Sequence, residues 1–96
     1  MDIIRSGEWL SVTYKAPPRS RVVQIDIDAN DLVDVWVIPE EELAAFSADE
    51  DFTYYTKRTN VSRATLTFKP DAREEWALIV DNKQSADVEV SYDVIW

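Results

Sequence analysis

The 96-residue chain contains no cysteine and no histidine. Those two absences remove disulfide frameworks, thiolate nucleophiles, iron–sulfur clusters, Cys/His zinc sites and histidine general bases together. Glycine is almost missing as well, with Gly7 the only one. Tight two-residue hairpins usually need glycine or asparagine at positive φ, so the expected connections are longer loops or Greek-key crossings. No apolar run approaches the roughly 18 residues that span a bilayer. Met1 to Glu8 lacks the basic region and apolar stretch of a secretory signal. The expectation is a soluble, cytoplasmic protein without membrane contact, and a domain excised from a longer secreted chain would read the same way.

Positive charge is also scarce. Ten Lys and Arg stand against nineteen Asp and Glu, a net charge of −9. Nucleic acid is a poor partner for such a chain, because binding it requires a basic patch that releases counterions. Here the bases are scattered as Arg19/Arg21, Lys57/Arg58 and singletons. An anionic membrane surface is disfavoured on the same ground. The field permits a basic protein partner and also serves plain solubility. Four lysines beside eleven aspartates would further suit a high-salt source.

What is present is enough for a core. Hydrophobic residues make up 46% of the chain, and a domain of this size buries roughly 60–65% of its unfolded surface. A single domain over residues 1–96 is expected. The apolar residues alternate in short runs, the period of strands. Leu10, Val12 and Tyr14 share one face of a run ended by Pro17 and Pro18. Val23, Ile25 and Ile27 oppose Gln24, Asp26 and Asp28, the pattern of a strand with one wet side. Ala29-Asn30-Asp31 reads as a turn before a strand from Val33 to Ile38. From Pro39 to Phe46 a short helical turn is expected: proline suits its first position, and Glu40, Glu41 and Glu42 complement the helix dipole. Further strands are expected over Phe52–Lys57, Ala64–Lys69, Trp76–Val80 and Asp87–Trp96, with Asn60 in a loop. About seven strands in a hundred residues predict an all-β, antiparallel two-sheet β-sandwich, jelly-roll or Greek-key-like.

The runs "VDVWVI" (33–38) and "ALIVDN" (77–82), followed by the valine-rich "ADVEV" (86–90), resemble the small β-sandwiches of the bacterial and archaeal pre-peptidase C-terminal type and, more distantly, the GOLD domain. The resemblance covers nearly the whole chain and is carried by strand residues. It implies an accessory role in binding or targeting, with no catalytic residues to carry over; no cofactor is expected. The sequence departs from the pattern before Trp76, where such domains often carry a glycine turn.

Two features invite a site. Asp26, Asp28, Asn30, Asp31 and Asp34 offer oxygens to a hard cation, but the spacing fails as an EF-hand. Counted from Asp26, the glycine position holds Asp31 and the glutamate position Val37. A solvated strand face and an Asx-type turn account for the cluster, and no metal is expected. Four tryptophans and four tyrosines exceed the needs of a small core, so some rings are expected outside. Trp36 has Asp34 and Ile38 as same-face neighbours and is the candidate surface ring, set against ordinary packing between sheets. Trp76 is expected in the core, and one of Tyr54 and Tyr55 outside. Asn60-Val61-Ser62 matches the glycosylation acceptor, which matters only in a glycosylating pathway. An enzyme is not expected, since a carboxylate pair on a flat strand has no pocket to separate two pKa values.

The functional expectation is a non-catalytic acidic module that binds a basic protein partner through Asp26, Asp28, Asp34 and Trp36. The rivals are a carbohydrate-binding domain using exposed aromatics and an acidic inhibitor that mimics nucleic acid. The last requires the carboxylates on one face, whereas they are spread along the chain.

Overall fold

Alternation decides which way each strand faces. Val23, Ile25 and Ile27 are buried while Asp28 is exposed and Gln24 and Asp26 are half-exposed. In the computed structural model, which describes residues 2–96, six strands form: β1 (Asp2–Ile4), β2 (Trp9–Lys15), β3 (Val23–Pro39), β4 (Thr56–Phe68), β5 (Glu75–Asp81) and β6 (Val88–Ile95). All pairings are antiparallel, in the order β1-β6-β3-β5-β2, with β4 on β3 as well. Expected as two sheets, the strands are joined by β3 into one, which curls into a half-barrel around the main core.

The curl explains why six strands appear where about seven were expected. Ala29-Asn30-Asp31 does not end a strand but turns a corner inside one of 17 residues. Before the corner, Gln24–Ala29 pairs with β6; after it, Asp34–Pro39 pairs with β5. Strand β4 follows β3 around, so the two runs expected on either side of Asn60 are one strand. From Asp28↔Arg63 to Val33↔Val61 the ladder advances five residues on β3 and two on β4. It then takes two on β3 and three on β4 to reach Val35↔Arg58. Bulges of this kind bend a strand without ending it. Asn60 takes the left-handed conformation at φ 54°, which asparagine tolerates. Val33 lies four positions after Ala29, an even step, so odd positions stay inside on both sides of the corner.

The main core joins Ile25 and Ile27 from one side of the corner to Val35, Val37, Leu78 and Val80 from the other. Trp76 is fully buried there, stacked on Tyr14 at 4.7 Å and edge-on to Phe68 at 4.8 Å, and its indole N–H has no acceptor among the described residues. Just past β5, Asn82 ties the chain together. Its buried Nδ2 donates to Ile4 O at 2.8 Å and Ala86 O at 2.9 Å, and its Oδ1 accepts from Gln84 N at 2.9 Å. Gly7, at φ 76°, donates its N–H to Asn82 O at 3.0 Å, a conformation a side chain would strain.

A second, smaller core lies on the outer face of β5. Ile38, Ala77 and Ile79 are covered there by Leu43, Phe46 and Phe52, with Trp36 alongside. The cover is a 3₁₀ turn, Glu40–Glu42, running into α1 (Leu43–Ser47), where the helical turn was expected. Strand β5 is therefore buried on both faces, which is why its sequence is a continuous apolar run.

Candidate functional site

Beyond the corner the outer face is covered, and before it the outer face is open. On the open side the pleat sends Asp26 and Asp28 outward from β3, with Thr65 and Arg63 beside them on β4 and Asp93 and Ser91 on β6. With Ile27 and Ala64 these six line a shallow depression of about 560 Å³. Thr65 Oγ1 donates to Asp26 Oδ1 at 3.0 Å, Gln24 Nε2 donates to the same oxygen at 3.2 Å, and Arg63 pairs with Asp28 at 3.4 Å. Asp93 stands directly across from Asp26. Among the described residues no ion pair reaches either of those two carboxylates, and no group of three or more potential ligands is placed to hold a metal ion.

Asp34 and Trp36 lie past the corner. Asp34 is only 8% exposed. Its Oδ1 accepts from the backbone N–H of Asn60 at 2.9 Å, holding the β4 bulge, and its Oδ2 pairs with Lys83 Nζ at 3.4 Å. Asp81 sits opposite Asp34 on β5. Burial pushes the Asp81 carboxyl above its ordinary value; Lys83 opposes the rise and Asp34 adds to it. Trp36 is half-buried, edge-on to Phe52 at 5.1 Å and Tyr54 at 5.4 Å, with Lys57 Nζ 5.1 Å from its ring centre. Trp9, Trp36, Phe46 and Phe52, with Asp49, Asp81 and Lys83, line a depression of about 200 Å³.

The four residues chosen from the sequence thus fall in two places. Asp26 and Asp28 share the open acidic face; Trp36 borders the aromatic depression, and Asp34 serves the corner between them. Asp93, Asp81, Trp9 and Phe46 were not chosen. The outward alternation of Asp93 was visible, but its position opposite Asp26 depends on a pairing between residues 67 apart. Of the two tyrosines, Tyr54 is exposed, whereas the half-buried Tyr55 donates its hydroxyl to Glu74 Oε2. No protein-family model matches the chain, and no curated protein sequence is significantly similar to it.

Proposed function

We propose that the chain is a non-catalytic interaction module that docks a basic protein segment on the open face carrying Asp26, Asp28 and Asp93. One observation carries the reading: Asp26 and Asp93 are directly opposed across β3 and β6, and no ion pair among the described residues reaches either carboxylate. Like charges in that relation destabilise a sheet. The other opposed pair, Asp34 and Asp81, has Lys83 beside it. On the open face a lysine or arginine of the partner would fill that place, and the shallow, uncovered depression admits an extended segment. In this reading the two halves of the curled sheet act as the layers of a small accessory β-sandwich of the pre-peptidase C-terminal type.

The test is calorimetric titration with a short oligolysine peptide at low and at physiological ionic strength. Binding is expected to weaken as salt rises and to vanish in the double variant Asp26→Lys, Asp28→Lys. Binding that ignores both salt and charge reversal would overturn the proposal, as would its absence at low salt.

A further inference from the structure

We propose that the aromatic depression beside Trp36 binds an alkylated ammonium group. This site is separate from the open acidic face, and neither reading depends on the other.

The ring geometry is the first argument. Trp9 meets Phe46 at 86°, Phe46 meets Phe52 at 75°, and Phe52 meets Trp36 at 66°, all with centroids 5.1–5.4 Å apart. Rings so steeply inclined make walls. A sugar ring stacks instead on broad aromatic faces lying flat to it. Walls of this kind present several π systems to one small cationic guest, the arrangement that recognises quaternary ammonium.

Charge is the second argument. Asp49 and Asp81 border the depression, and the lysine on its rim, Lys83, pairs with Asp34 at 3.4 Å and also acts on Asp81, so three carboxylates there stand against that one lysine. The surroundings therefore favour a positive guest. The chain also shows the interaction in miniature, since Lys57 places its own ammonium 5.1 Å from the Trp36 ring centre and 5.3 Å from that of Tyr54. Lys57 is not among the residues lining the depression.

Size is the third. The depression holds about 200 Å³, below the roughly 300–1,000 Å³ of pockets that enclose a drug-sized molecule. It fits a head group and not an oligosaccharide. Alkyl groups matter because they shed water more readily than a bare ammonium and leave apolar surface to bury against the rings.

The experiment titrates the whole chain with tetramethylammonium and with choline, using 3,3-dimethylbutanol as the uncharged isostere of choline and cellobiose as the sugar arm. Tryptophan fluorescence and the NMR signals of the indole N–H groups report binding. Saturable shifts are expected for Trp9 and Trp36, with buried Trp76 unmoved. The uncharged isostere should bind about tenfold more weakly, the factor that 1–2 kcal/mol of cation–π attraction implies. Asp49 is exposed at φ 57°, a conformation asparagine also takes, so Asp49→Asn should keep the fold and lose affinity several-fold. Trp9→Leu should lose it likewise. Equal binding of choline and its isostere, preference for cellobiose, or no saturable shift with either cation overturns the proposal.

Discussion

Replacing Asp93 with asparagine should make the protein more stable and a poorer binder of basic peptides. Side chains directly opposed in an antiparallel pair stand about 4.5–5.5 Å apart at Cβ. Two unit charges about 5 Å apart in water repel by about 0.8 kcal/mol. Screening at physiological salt, where the Debye length is about 8 Å, reduces this to about 0.4 kcal/mol. Asp93 is the better member of the pair to change, because Asp26 accepts hydrogen bonds from Thr65 and Gln24 that its replacement would disturb. For a domain of this length each kcal/mol moves the melting temperature by about 4–8 °C. Asp93→Asn is therefore expected to raise Tm by about 2–6 °C between physiological and low salt. At about 1 M salt, with a Debye length near 3 Å, most of that gain should disappear. Thermal unfolding followed by circular dichroism at three salt concentrations measures it. A lower Tm for the variant, or a rise of the same size at every salt concentration, would refute the account of Asp26 and Asp93 as an uncompensated pair. The same variant should bind oligolysine more weakly, tying the loss of repulsion to the loss of the docking site.

Other consequences are equally direct. Asn82→Ala removes three hydrogen bonds, one of them the buried bond to the Ile4 carbonyl, so urea unfolding should show a loss of about 2–4 kcal/mol. Trp76→Ala removes a fully buried indole from the main core at a cost of about 3–5 kcal/mol, much of the total for a small domain, and near-ultraviolet dichroism should show the tertiary signal largely lost. The carboxyl of Asp81 holds its proton more tightly folded than unfolded, so its ionisation opposes folding once pH exceeds its raised value. Asp81→Asn should therefore stabilise at neutral pH, by a margin that shrinks as pH falls toward the ordinary aspartate range. Burial raises the pKa of Tyr14, Tyr55 and Tyr92, with Glu74 adding to the effect at Tyr55. These phenols stabilise the fold below pH about 10, their unfolded value, and that stabilisation is lost as pH climbs further. Absorbance at the phenolate band should accordingly rise late and together with unfolding.

The faces of the strands were legible in the residues because the pleat has period two, and burial follows it wherever a strand runs straight. Val23, Ile25 and Ile27 point inward as read, β6 alternates as read, and the helical turn after Pro39 forms where its glutamates place it. Trp76 was recognisable as core from its apolar, β-branched company. The corner was not legible. Asn30 and Asp31 have the chemistry of a chain reversal, and equally of a bulge whose side chains bond to neighbouring backbone: Asn30 Oδ1 accepts from Glu89 N at 2.9 Å. Local propensity does not distinguish the two outcomes, because the difference lies in whether β4 and β5 are there to continue the ladder. The candidate site divided for the same reason. Asp26, Asp28, Asp34 and Trp36 all stand at even-numbered positions, which on a straight strand makes one surface. The bend at residues 30–33 sends the first two to an open acidic face and the last two to a corner and an aromatic depression. Composition, charge and face were set by the amino-acid order alone. Which carboxylates oppose each other, and which rings gather around Trp36, depended on register between distant strands, where cooperative packing of the whole sheet outweighs anything a single strand prefers.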